Sequence, residues 1–325
     1  MISRVADHCF WLGRYLERAE CTARVLQVTR NLALDAGLTP RQCWQPVIVV
    51  SGQEANFLAR HGTGLEDGEV VQRYVTWDEE NLASIMRSTA AARENARSIR
   101  EVVSLETWEA LNELYLWMAG EDGRVRYAAD RHDFFWQVRR ACLLALGFIQ
   151  GTMLHDDPYR FIALGVMLER AGQTARLLDV QHHALARLAT HQVETALFLA
   201  LLRACSGFEP FMKRNRGPVT PLSVASFLVL DPEFPRSIRF SITAAYRRLS
   251  SLLAVDAVGR PGIECLEKLR ALDEWIVQQR PAALETGFIH ACLTRVVDDS
   301  AEICDAIGRE LLGQAASPAP GGRTQ

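Results

Sequence analysis

Glu17 and Arg18 stand side by side in the string Leu12-Gly13-x-x-Leu16-Glu17-Arg18-Ala19-x-x-Thr22-Ala23-Arg24-x-Leu26-x-Val28, and Glu169 and Arg170 do the same in a second copy running from Leu164 to Val180. Eleven of the seventeen aligned positions are identical at an offset of 152. Unrelated amphipathic helices do not share that much, so the sequence carries an internal duplication. Carboxylates and guanidiniums together suit amino-acid-like or peptide ligands: Arg clamps a carboxylate or phosphate in a two-pronged grip, and Glu receives an amine. Neighbours on a helix diverge by about 100°, so neither Glu-Arg pair can close on itself. If the repeated helices pack antiparallel about a pseudo-twofold axis, Glu17 meets Arg170 and Glu169 meets Arg18. Gly13 and Gly165, one turn before the glutamates, leave room for a neighbouring helix or a ligand. Two readings follow. In one, the four charges form a buried network that fixes how the halves pair. In the other, they form a polar floor for an anionic or peptide ligand with Arg18 and Arg170 binding substrate, and, if the chain is an enzyme in its own right, Glu17 or Glu169 is the catalytic candidate as general base.

Other landmarks repeat at nearly the same spacing. Asp78, Ser84 and Ile85 return as Asp231, Ser237 and Ile238, and Ser51-Gly52-x-Glu54 returns as Ser206-Gly207-x-Glu209. Asp231, Pro235, Arg236 and Ser237 describe a tight loop ahead of a helix start, where free backbone N–H groups hold an anion with help from Arg236, or where Ser237 simply caps the helix. The first copy has Leu82 and Ala83 in place of Pro235 and Arg236, so a site here belongs to the second half. The copies also differ at Arg14 and Glu20, matched by Val166 and Gly172. Arg93, Arg97 and Arg100 share a helical stripe with Glu94 and Glu101, the pattern of a solvated ion-pair face. Lys213, Arg214 and Arg216 make a basic loop.

The paired Leu-Glu-Arg-Ala helices, the string Ala92-Arg93-Glu94-Asn95-Ala96-Arg97 and the string Phe227-Leu228-x-Leu230-Asp231-x-x-Phe234-Pro235-Arg236-Ser237 together resemble the bacterial alpha-E domain, over nearly the whole chain to about Leu312. The resemblance implies a role beside ATP-grasp ligases and transglutaminase-like proteins in peptide synthesis or modification. It gives Arg93, Asn95 and Arg97 a place among the candidate ligand-binding residues. The chain either binds a substrate or completes the site of an ATP-grasp partner; ATP and magnesium then belong to that partner, with no intrinsic cofactor. The alternative is a non-catalytic helical scaffold.

Composition narrows the classes. The net charge is −3, and Lys213 and Lys268 are the only lysines, so no nucleic-acid-binding surface is expected. The eight cysteines are scattered without a CxxC and read as reduced, buried thiols with no metal. GxSxG, HExxH and Glu-x-x-His are absent, which sets aside α/β-hydrolase, zincin and di-iron bundle chemistry. No apolar run spans a bilayer, and the segment from Met1 reads as an amphipathic helix without a secretory core. A cytoplasmic protein is expected.

The elements that must position these groups are helices. Val5, Cys9, Leu12, Leu16, Ala19, Ala23 and Leu26 alternate at spacings of four and three, which predicts a helix over 3–34 packed through a narrow seam; its copy starts near Asp157-Pro158. Further helices are expected over 43–57, to about Arg100, after Ser104, over 131–154, 194–205, 221–230, 237–255, 261–279 and 282–312, with a glycine loop around 62–68 and a polar break over 120–130. The fold class is all-α: a helical bundle of two pseudo-symmetric tandem repeats, 1–155 and 156–312, with a disordered tail over 313–325.

Overall fold

The computed structural model describes residues 3–35, 37–185, 191–253, 261–285 and 288–314, with side chains described at all of these except 35, 182–185 and 191–194. In chain order the helices are α1 (Ser3–Asp35), α2 (Pro40–Ser51), α3 (Glu54–His61), α4 (Gly68–Trp77), α5 (Ile85–Ser98), α6 (Leu105–Ala119), α7 (Glu121–Ala129) and α8 (Arg131–Thr152). They continue with α9 (Asp157–Leu185), α10 (His191–Ala204), α11 (Phe208–Arg214), α12 (Pro221–Leu230), α13 (Ile238–Leu253), α14 (Ile263–Gln278) and α15 (Ile289–Glu310). No strand occurs among the described residues. The tail expected to be disordered lies outside them from residue 315 on.

Local chemistry sets the ends of these helices. Thr39 opens α2 and Thr220 opens α12 through reciprocal caps with Gln42 and Ser223, each followed by a proline in the first turn. Ser84 caps α5 and Ser104 caps α6 by accepting backbone N–H bonds. The single helix expected over 43–57 is broken at Gly52, whose φ of +71° gives a left-handed cap with its N–H on the carbonyls of Ile48 and Val49. The expected polar break over 120–130 is instead α7. Tyr127, its one large inward side chain, packs edge-on against Trp77, Phe134 and Phe135, and Gly123 lies on the backbone of Trp117 and Met118. The expected glycine loop leads directly into α4, Lys213 and Arg214 end a helix rather than sit in a loop, and a short 3-10 turn at Pro281–Leu284 separates α14 from α15.

Everything is built on α1 and α9. These two make the most extensive interface in the protein; α5 and α8 pack on α1, α13 and α15 pack on α9, α6 joins α5 to α8, and α14 joins α13 to α15. The two central helices touch backbone to backbone. A Cβ placed on Gly13 would lie 2.1 Å from the Ile162 carbonyl oxygen, and one on Gly165 would lie 2.1 Å from that of Phe10. Contacts advance together along both helices: Phe10 and Gly13 meet Ile162 and Gly165, Glu17 and Arg18 meet Glu169 and Arg170, and Val28 and Leu32 line a small cavity with Leu177 and Val180. The helices therefore run parallel, which corrects the antiparallel arrangement expected from sequence. The adjacency of Glu and Arg satisfies the cross-pairing in either direction; only the glycine contact separates the two.

The crossing leaves no space for a methyl group, so Gly13→Ala should lower stability by about 3 kcal/mol or prevent folding, since neither carbonyl can retreat without moving its helix. Gly147→Ala, at a mid-helix position with nothing near its added Cβ, should be neutral or stabilise by about 0.5–1 kcal/mol. Urea unfolding of both variants checks this. Equal midpoints for the two would mean that the helices do not touch at Gly13.

Candidate functional site

One turn beyond the glycine crossing the two helices exchange charges. Arg170 reaches Glu17 with two bonds, Nε to Oε1 at 2.9 Å and Nη2 to Oε2 at 2.7 Å. Arg18 reaches Glu169 in the same way, at 2.8 and 3.0 Å. Each carboxylate also holds a second guanidinium: Arg236 donates to Glu17 at 2.7 Å, and Arg14 donates to Glu169 at 2.8–2.9 Å. Gln173 adds a bond to Glu169. Both carboxylates are essentially without solvent contact.

Glu20 is a third buried carboxylate in this cluster. It accepts from Arg24 at 2.6 Å and from Arg236 at 2.9 Å, with Arg139 of α8 at 3.5 Å. Arg24, fully buried, also donates to the Ala204 carbonyl at the end of α10 at 2.5 Å and approaches the Ser206 hydroxyl. Ser206 holds a left-handed φ of +50°, unusual for a residue with a Cβ. Arg139 is steadied by donating to the side-chain amide oxygen of Gln27 at 2.6 Å.

Electrostatics keep the carboxylates charged. Burial works against ionisation of Glu17, but Arg170 and Arg236 outweigh it and hold its pKa at about 2. Burial opposes ionisation of Glu169 too, and Arg18 and Arg14 together keep it well below the usual carboxylate range. A general base needs a pKa near the working pH. Neither group has one, and their oxygens are occupied. Thiols near the cluster are equally unreactive: desolvation raises Cys21, and it pushes Cys205 up to about 12.

Of the residues singled out in the sequence, the structure gathers Glu17, Arg18, Glu169, Arg170 and Arg236 into this cluster. Arg236 turns inward, while Asp231 accepts the backbone N–H groups of Glu233 and Phe234. The buried Ser237 hydroxyl donates to the Asp231 carbonyl and accepts the Phe240 N–H. It is thus committed to the turn and the helix start. Arg93, Asn95 and Arg97 lie elsewhere. Arg93 bonds to Asn112 and lies over the Tyr115 and Trp108 rings, Asn95 bonds to His8 at 2.7 Å, and Arg97 is exposed and grips Glu94. Sequence reading missed Arg24, Arg139 and Arg176 as members. Arg24 and Arg176 were within reach, because both occupy the repeated Thr-Ala-Arg step.

A pocket of about 250 Å³ opens beside Glu169. Arg14, Arg18, Gln173 and Arg176 give it a polar wall, and Val25, Val47, Val75 and Leu82 an apolar one. Ala83 and the end of α2, Ser51 to Gln53, complete it. A smaller pocket of about 190 Å³ against α15 shares Arg14, Glu169 and Arg176 with it.

An all-helical fold whose two central helices are locked by reciprocal Glu-Arg pairs defines the class. The family description "a predicted alpha-helical domain with a conserved ER motif", that of Alpha-E, matches residues 1–312, and the chain belongs to that family. Adjacency of Glu and Arg acquires a physical reason here: on parallel crossing helices one residue of each pair reaches across on either side. Uncharacterised proteins of Mycobacterium bovis and Mycobacterium tuberculosis are 24% identical over 274 residues, covering 79% of this chain and 31% of their own length. The chain thus spans about a third of these relatives. No solved structure matches it.

The stability linkage of Glu17 has a definite sign. A depressed carboxylate contributes stability that is present above its unfolded pKa, near 4.5, and is lost as pH falls through its folded value near 2. Stability should therefore drop between those limits, with Glu17 contributing on the order of 3 kcal/mol. Glu17→Gln should cost about 3–5 kcal/mol at neutral pH, since it strands Arg170 and Arg236, and should flatten the acid slope. Chemical denaturation at a series of pH values measures both; an unchanged slope would remove Glu17 from the account.

Proposed function

We propose that this protein is a binding component of a peptide synthesis or modification system, acting beside an ATP-grasp ligase rather than catalysing alone. The observation that carries the reading is the division of labour in the charge cluster: Glu17, Glu20 and Glu169 are consumed in holding α1, α9 and their neighbours together, while an open, guanidinium-lined pocket stands next to them. The scaffold reading and the binding reading therefore apply to different atoms of one site. No side chain in the cluster is poised as a nucleophile or base, which favours a role in presenting a peptide or amino-acid-like substrate or completing a partner's site. ATP and magnesium would come with that partner. A transglutaminase-like protein is the second expected associate, and a cytoplasmic location fits a system supplied with ATP. No helix among the described residues is long and apolar enough to cross a membrane by itself.

In this reading the chain is two copies of one helical plan, residues 1–155 and 156–312. The repeated strings support it, as does the recurrence of a central helix with three packed helices: α1 with α5, α6 and α8, then α9 with α13, α14 and α15. The relatives carry about two further thirds of chain outside the match, which suits a module that works alongside other domains.

Affinity purification of the tagged protein from its native host, with and without ATP, is the direct test. An ATP-grasp protein should be recovered by mass spectrometry, above the background set by an untagged strain processed in parallel. Recovery of no ligase from a stable protein at native abundance would reject the partnership.

A further inference from the structure

The cluster is not balanced between its two sides, and the imbalance has a single location. In the first copy Arg24 has a carboxylate four residues earlier, Glu20, and a carbonyl at the end of α10, Ala204. Its counterpart in the second copy is Arg176, and the position four residues earlier is Gly172. Arg176 lies over that glycine, with its guanidinium nitrogens 3.4 and 3.6 Å from where a Cβ would stand. Among the described residues it has neither hydrogen-bond nor salt-bridge partner. The end of α2, which would supply the matching carbonyl, lines the open pocket instead. The loop differs in the same sense: where Arg236 enters the cluster from the second half, the first half offers Ala83, also on the pocket wall.

Seven guanidiniums thus gather around three carboxylates, and the one without a contact faces the pocket. Burial and the nearby Arg14 and Arg18 disfavour its charge, with Glu169 the main counterweight. An anion entering there finds a desolvated planar donor group that no carboxylate of the protein engages, so binding breaks no internal pair. The space is walled on one side by valines and Leu82, which suits an aliphatic body beside the charged group.

We infer that the pocket binds the free carboxylate of a small aliphatic acid, an amino acid or the C-terminal residue of a peptide, with Arg176, which lines it, as the anchoring cation and the ligand's carboxylate serving as the charge partner that the protein does not supply at Gly172. The aliphatic body of the ligand lies against Val25, Val47 and Val75. Arg18 and Arg14, half-committed to Glu169, border the same space. The inference rests on the binding role proposed above and names its ligand.

Isothermal titration calorimetry with N-acetylvaline, N-acetylvalinamide and inorganic phosphate tests it on the full chain. N-acetylvaline should bind, and its amide should bind at least about tenfold more weakly, the size expected for losing a charge-assisted contact. Arg176→Met should abolish binding without lowering the melting temperature, because no partner is stranded. Gly172→Glu should also abolish it while raising the melting temperature, because the new side chain rebuilds the Glu20–Arg24 pair inside the protein. Equal binding of acid and amide, binding that survives in both variants, or binding of phosphate alone would overturn the assignment. Failure to capture a ligase while N-acetylvaline still binds would reject the partnership and leave this site standing; capture of a ligase with no binding would do the reverse.

Discussion

The backbone contact between Gly13 and Ile162, and its counterpart between Gly165 and Phe10, is the constraint on which the rest of the structure depends. Two helices that approach this closely cannot slide, because any change of register drives a carbonyl into a Cβ. The side chains one turn on are therefore delivered to fixed places. Glu17 and Glu169 are buried there, where an unpaired carboxylate would be prohibitively costly, and each is met by two guanidiniums. Such pairs are weak contributors to net stability, since desolvation offsets most of the attraction. What they enforce is identity: only a helix carrying the complementary Arg-Glu step can occupy the other side.

That logic shows why much of the fold was legible in the sequence. The spacing of Leu12, Leu16, Ala19, Ala23 and Leu26 states a helix and its seam, and the repeated string states that two such helices share a surface. Charge adjacency then demands a cross-pair. Direction was not legible, because Glu17 and Arg18 can reach Arg170 and Glu169 from parallel or antiparallel helices. Elements held by one or two contacts were also hidden. α7 has glycine inside it and few apolar residues, so its periodicity is faint, and it exists because Tyr127 finds an aromatic nest that includes Trp77, far away in sequence.

The candidate site was legible at its centre and obscure at its edge. Glu17, Arg18, Glu169 and Arg170 stand out as a repeated, chemically loaded step. Arg236 could be singled out by type, but its destination depends on the turn from Asp231 to Ser237, which is closed by the Ser237 hydroxyl and by Thr174 donating to the Arg236 carbonyl. Arg93, Asn95 and Arg97 are equally polar, yet they serve α6, α1 and their own helix. Spacing within one helix specifies a face. It does not specify what that face meets.

The duplicated strings give the site its form through the places where they disagree. If both copies carried a glutamate at the position of Glu20, every guanidinium in the cluster would have a carboxylate partner within the protein, and none would be left free to recognise an anion. If both carried glycine, Arg24 and one arm of Arg236 would lose their partner as well, and seven cations would face two carboxylates, a repulsion the helix pair could not absorb at a crossing with no slack. One filled side and one open side is the arrangement that satisfies both demands. Glu20, with Arg24, Arg139 and Arg236, makes one flank rigid, and on the other flank Gly172 leaves Arg176 without an internal carboxylate, on the wall of the open pocket.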